Sequence, residues 1–172
     1  MTKLFKSIAN FADTVNEVIG RVTAWLTTSL VILVCYDVAV RYIFNATQAW
    51  IMELEWHLFA LIFLLAAGYA LKHNRHVRVD LFYANYSKKD KAQTDLIGTL
   101  VFLIPWCIVI IVFASKFAYA SFLDNEGSPN PGGLPARYLI KYSVVLGFTL
   151  LLLQAFGELS KSILALRAEE EK

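Results

Sequence analysis

The sequence predicts an all-α polytopic membrane protein: four transmembrane helices and an amphipathic N-terminal helix, forming a single membrane domain over residues 1–172. Its composition is 58% hydrophobic and 17% charged, with a mean hydropathy of +0.54. Soluble domains are about half apolar and about one quarter charged. The apolar residues are gathered into four long runs, and basic residues cluster beside one of them, which indicates membrane spans with a defined orientation.

The first element in the chain is marked by a helical stripe of apolar residues within 1–21. This stripe predicts an amphipathic helix that lies at the membrane surface or continues straight into the first span. Only the third span contains a long charge-free run, Leu96–Ser115, so the others place charged residues near the ends of the hydrocarbon slab. The predicted spans are about 22–43, 51–71, 95–117 and 138–160.

Proline marks two places in this pattern. Pro105 lies inside the third span, where it removes one backbone hydrogen bond and bends the helix. The loop 119–136 carries the other three prolines and a Gly-Gly pair, which forbid a continuous helix and favour successive turns. We therefore predict a shaped loop outside the membrane.

Basic residues concentrate between the second and third spans and set the expected topology. Both termini and the loop 72–94 are predicted to be cytoplasmic, and the loops near 44–49 and 119–137 to lie outside. The cluster flanks a span, so membrane lipid is its expected partner and nucleic acid is not. Its members are Lys72, Arg75, Arg78, Lys88, Lys89 and Lys91.

No pattern of residues in the sequence predicts a catalytic, cofactor-binding or metal-binding site. The three histidines, His57, His73 and His76, lie near opposite ends of one helix, and no other span offers a facing histidine for haem. Cys35 and Cys107 stand singly in apolar runs, where a thiol acts as a small hydrophobe. We predict no catalytic, cofactor-binding or metal-binding residues and no enzymatic activity.

Four charged residues near the 44–49 turn predict structural ion pairs. Asp37 and Arg41 are four residues apart and share one helix face, so they can pair within the helix or link to another one. The short turn makes a helical hairpin that brings Arg41 level with Glu53 and Glu55, which predicts an interhelical salt bridge to one of them. Because these two carboxylates point about 200° apart, the other would face lipid headgroups or a partner.

These residues also carry a family resemblance. The run Arg41–Asn45, then Trp50 with the two glutamates, and an apolar helix that closes on His76–Asp80 resemble the small membrane (Q-type) subunit of tripartite ATP-independent periplasmic (TRAP) transporters. Four spans in a short chain, cytoplasmic termini and a Pro/Gly-rich loop before the last helix are similar to that family as well.

The resemblance implies a scaffold subunit of a sodium-coupled secondary transporter for organic acids in the bacterial inner membrane. A large multi-span permease subunit would carry the transport sites, and a periplasmic substrate-binding protein would deliver the substrate. The small subunit would stabilise the fixed part of the permease. On the outer side, Asp124, Glu126 and Arg137 would then form part of a docking surface for the binding protein.

Three other functions fit the composition. The chain could be an independent small transporter or channel, although no span carries a central unpaired ionisable residue. It could anchor a redox enzyme, although haem ligands are not evident. It could also be a scaffold of an unrelated membrane complex.

Overall fold

The computed structural model describes residues 2–75, 83 and 85–170, and this part of the chain is helical and contains no strand. One π-helical turn, Thr99–Leu103, joins two helices into a continuous rod. In the described ranges the α-helices are α1 (Thr2–Phe44), α2 (Ala49–Lys72), α3 (Lys88–Gly98), α4 (Ile104–Leu123) and α5 (Tyr138–Glu170).

Four helical rods are long and apolar enough to cross a membrane: α1, α2, the combined rod α3–α4, and α5. The predicted fold class, an all-α protein with four transmembrane helices, is therefore confirmed. The predicted N-terminal helix and first span form one helix, because no residue between them interrupts the backbone ladder. At 43 residues, α1 extends ~64 Å, about twice the thickness of a hydrocarbon core.

Three helices are followed by an asparagine in the left-handed conformation: Asn45, Asn74 and Asn125, with φ of 50°, 53° and 46°. Asparagine tolerates this conformation better than most residues, and it lets the chain turn back onto the open carbonyls of the last helical turn. After α2, for example, the N–H of Arg75 donates to the carbonyl of Ala70 at 2.9 Å. These asparagines end the helices where the sequence has neither Gly nor Pro at the boundary.

Pro105 explains the π-helical turn in the third span. A proline ring collides with the carbonyl four residues earlier, here that of Val101, and leaves it without a donor. The turn 99–103 is widened, and the N–H of Ile104 donates to the carbonyl of Thr99, five residues back. The expected interruption therefore takes the form of one extra residue in a turn.

Helix α5 is central, because it packs against α1, α2, α3 and α4. Small residues permit this close approach, as is common between membrane helices. A Cβ on Gly147 would lie 2.8 Å from the Cβ of Leu64 and 2.9 Å from its carbonyl oxygen. A Cβ on Gly157 would lie 2.9 Å from the Cβ of Ala12. Helices α1 and α2 therefore pack on α5 almost backbone to backbone.

Candidate functional site

The bundle has two ends that carry different polar groups. The loop end is formed by the turn 45–48 and the loop 124–137, and the tail end by residues 2–21, 72–75 and 154–170. Large apolar side chains on the outer faces of the helices are exposed between them. The polar side chains that act together are found at these two ends.

At the loop end, the carboxylate of Glu53 holds the loop 124–137 against the start of α2. The residue is only 4% exposed. Its Oε1 accepts hydrogen bonds from the hydroxyl of Ser128 and from Asn130 Nδ2 (3.0 Å), and its Oε2 accepts one from the N–H of Leu134 (2.7 Å). Hydrogen bonds to an ionised acceptor are stronger than neutral ones, so this single carboxylate fixes the loop at three points.

The loop itself is closed around that carboxylate. The N–H of Ser128 donates to the carbonyl of Leu134 at 3.0 Å. Gly133 has no room for a side chain, because a Cβ there would collide with the Ser128 hydroxyl and lie 2.8 Å from Glu53 Oε2. The Gly-Gly pair in the sequence therefore serves the close approach of the loop to Glu53.

The three charged residues predicted to dock a binding protein have different environments. Glu126 pairs with Lys141, whose hydrogen bond lowers the pKa of the Glu126 carboxyl below its usual value. The Arg137 guanidinium lies 5.9 Å from the centre of the Trp56 ring, and its backbone N–H donates to the Glu126 carbonyl at 2.8 Å. Asp124 is exposed at the end of α4. Of the three, Asp124 is the charge most available to another molecule.

The predicted salt bridge from Arg41 to Glu53 or Glu55 is not formed among the described residues, and that prediction was wrong. Arg41 binds Asp37 on its own helix. The i,i+4 spacing satisfies the arginine without a second helix, and Glu53 is already occupied by the loop donors. Glu55 has no ion pair in the described structure, and its buried Oε1 has no hydrogen-bond partner.

At the tail end, a buried polar network joins α1 to α5. Gln154 is fully buried, accepts from Asn16 Nδ2 (3.0 Å), and donates through Nε2 to Asp13 (2.8 Å) and Glu158 (2.9 Å). Lys161 bridges the same two carboxylates at 2.7 and 2.8 Å. Except for Asn16 Oδ1, which accepts no hydrogen bond, the polar groups of this network are paired with a group on the facing helix or one turn away, which fixes the register of the two helices.

A second set of contacts at the tail end joins α1 to α2. The ammonium of Lys72 binds Glu17 at 2.7 Å and the backbone carbonyl of Asp13 at 3.1 Å, and His73 Nε2 lies 3.0 Å from the same glutamate. Sequence reasoning missed both networks. A signal was present in Gln154, which is a lone polar residue in an otherwise apolar run and needs a partner in a membrane.

The predicted basic cluster is only partly available to solvent or lipid. Lys72 is committed to the α1 contacts just described. Arg75, Lys88 and Lys89 are exposed, and Lys91 lies 5.5 Å from the centre of the Tyr83 ring. Arg78, like the His76–Asp80 motif, lies outside the described residues. Of the five basic residues that the structure describes, three are therefore exposed beside the start of α3 and the end of α2.

Within the described ranges, no three His, Cys, Asp or Glu side chains lie close enough to hold a metal ion. Cys107 is buried in the bundle, and Cys35 faces outward as a free thiol. The polar groups at both ends are engaged mainly in holding helices and the loop together. The arrangement is suited to a rigid membrane unit.

Gln154 provides a direct test of the tail-end network. We expect Gln154→Leu to lower the free energy of unfolding by about 1–2 kcal/mol, because Asn16 and Asp13 each lose a buried partner. Adding Asn16→Leu should recover part of this loss, since an apolar pair leaves fewer unpaired groups. Thermal unfolding of the detergent-purified protein measures both. Thr149→Val on the exposed face of α5 is the control, and equal stability of Gln154→Leu and this control would contradict the role of the network.

The chain matches the sequence model of a known protein family. The sequence model of the family described as tripartite ATP-independent periplasmic transporters, DctQ component, matches residues 30–165. The matched region begins within α1 and ends within α5, so it contains the loop end completely. No curated protein sequence matches the chain.

Proposed function

Because the chain belongs to the DctQ family, the small membrane subunits of TRAP transporters, we propose that it is the scaffold partner of a large permease subunit. It would hold the fixed part of that permease at a defined depth in the bacterial inner membrane. The transporter would be a sodium-coupled secondary transporter that takes up organic acids delivered by a periplasmic binding protein.

The observation that best supports a scaffold is the use of polar groups at the two ends of the bundle. Glu53 joins the start of α2 to the loop that precedes α5. At the tail end, Gln154 and Lys161 join α5 to α1, and Lys72 joins α2 to α1. A transport site requires inward-facing polar groups near the middle of the membrane, commonly on broken helices. The described helices α1, α2 and α5 are instead unbroken. Glu53 lies near the start of α2, and the Gln154 network, at mid-length of α5, is taken up by contacts between α1 and α5, which favours a static role.

The proposed topology places the tail end in the cytoplasm and the loop end in the periplasm. The exposed lysines and arginine beside α2 and α3 are at the tail side, in agreement with the retention of basic residues in the cytoplasm. The loop end would then face the binding protein. Membership of a transporter family gives no support to the alternative of a redox-enzyme anchor.

Reconstitution tests the scaffold role. We expect this chain to co-purify with the large permease subunit, and uptake into proteoliposomes to require both subunits together with the binding protein and a sodium gradient. The control omits only this chain. If the large subunit alone transports at the full rate and does not retain this chain, the scaffold proposal is incorrect.

The loop end provides a separate test of docking. We expect Asp124→Lys to slow uptake by about two- to ten-fold when the binding protein is limiting, because a rim charge acts mainly on the association rate. Uptake at saturating binding protein should change little. Lys88→Glu, a charge reversal on the proposed cytoplasmic side, is the control. Unchanged uptake at limiting binding protein would show that Asp124 is not part of the docking surface.

A further inference from the structure

An open groove of about 900 Å³ lies at the loop end, between α1, α2 and the loop 124–137. Its walls are largely apolar and include Leu30 and Val34 of α1 and Met52 and Phe59 of α2. Glu55 lines the groove among these side chains. The groove therefore combines an apolar surface with two carboxylates, and one of them, Glu53, is already held by the loop donors.

Glu55 has no partner in the described structure that would compensate its charge. Its Oε1 is enclosed by protein and accepts no hydrogen bond. Ionisable groups within membrane helices are costly and are almost always paired. The cations within residues 36–60 and 120–145 are already engaged: Arg41 with Asp37, Lys141 with Glu126, and Arg137 over the Trp56 ring.

The charge balance of the loop end indicates what would occupy the groove. Residues 36–60 and 120–145 contain five carboxylates against three cations. A lipid tail supplies no hydrogen bond or positive charge to Glu55, whereas a lysine or arginine side chain supplies both. A basic residue on an apolar helix fits both the walls and the carboxylate.

We propose that this groove is the docking site for a helix of the large permease subunit that brings a lysine or arginine side chain to Glu55, an inference that rests on the proposed function. The apolar surface continues along α2 beyond the groove. Met52, Phe59 and Phe63 lie on one helical face and are exposed, so that the incoming helix can pack along about three turns of α2.

Site-specific photo-crosslinking within the assembled complex tests the location. A benzophenone amino acid replaces Phe59 on the groove face or, as a matched control, Phe113 on the outer face of α4. The two phenylalanines are 64% and 65% exposed, so a difference in crosslinking between them would reflect their location and not their accessibility. We expect the probe at Phe59 to crosslink the large subunit about five-fold or more above the probe at Phe113. The linked peptide should include a lysine or arginine.

Charge substitution tests the chemistry. We expect Glu55→Lys to reduce recovery of the large subunit about ten-fold or more, because it places two positive charges together. Glu169→Lys, at an exposed carboxylate of the tail end, should leave recovery unchanged. If Glu55→Lys does not fold when expressed alone, the isosteric Glu55→Gln is used, and it should lower the Phe59 crosslink at least two-fold.

Several outcomes would overturn the inference. These are a Phe59 crosslink only to lipid or to a second copy of this chain, equal crosslinks from both positions, or full recovery and crosslinking with both Glu55 variants. Failure of the proposed function gives a different result, since the unsubstituted chain would then not co-purify with the large subunit at all. If the large subunit co-purifies but crosslinks no better at Phe59 than at Phe113, the docking site in the groove is rejected and the scaffold role is not.

Discussion

Glu53→Gln is expected to lower the free energy of unfolding by about 2–4 kcal/mol and to release the loop 124–137. The amide keeps the shape of the side chain but replaces one acceptor oxygen with a donor. That donor must face either the N–H of Leu134 or the groups of Ser128 and Asn130 that now donate to Oε1. Thermal unfolding of the detergent-purified protein and protease cleavage within the loop measure the two effects.

Asp124→Asn is the matched control for Glu53→Gln, because it also neutralises a carboxylate at the loop end. Asp124 is exposed, so its substitution should change stability by less than about 0.5 kcal/mol. A Glu53→Gln protein with the thermal midpoint and protease pattern of this control would show that the carboxylate does not hold the loop.

Gly147→Ala is expected to lower the free energy of unfolding by about 1–3 kcal/mol, the usual range for an overpacked core. The added methyl would lie 2.9 Å from the carbonyl oxygen of Leu64 and 2.8 Å from its Cβ. These atoms belong to or adjoin the backbone of α2, so no side-chain rotation can relieve the contact. Helix α5 must move away from α2, which weakens the central interface of the bundle.

Gly98→Ala is the control for this substitution, because Gly98 is also helical and a Cβ there would meet no atom within 4 Å. Alanine has the higher helix propensity by about 1 kcal/mol, so this variant should be as stable as the parent or more stable. The difference in thermal midpoint between the two variants separates the cost of the steric contact from the gain in helix propensity. Similar midpoints would mean that α2 and α5 are farther apart than the structure has them.

The helices of this protein could be predicted from the sequence because long apolar runs have few stable alternatives in a membrane. The partners of charged residues could not be predicted with the same success. Arg41 has three carboxylates within reach of a hairpin, and the choice among them depends on the rotation of each helix about its axis. Residue spacing does not fix that rotation when most of the helix circumference is apolar.

The same limit explains the tail-end network. Asp13 and Glu17 belong to a helix that the pattern describes as amphipathic, and Gln154 is more than 130 positions away in the sequence. Only the packing of α1 on α5 brings Gln154 to Asp13, at 2.8 Å. That packing depends on the close approach of the helices at Gly157 and Ala12. The pattern of polar residues in the sequence does not predict this approach.

The sequence by itself determined the four membrane helices and the family, because apolar run length and the order of short motifs are local properties. It also determined that the loop before α5 must turn, since three prolines and paired glycines exclude a helix there. Only the tertiary structure decided that Glu53 holds this loop, that Arg41 stays with Asp37, and that Glu55 has no ion-pair partner among the residues described. These outcomes depend on distances between helices, which follow from small residues at the points of contact and not from the polarity of any one segment.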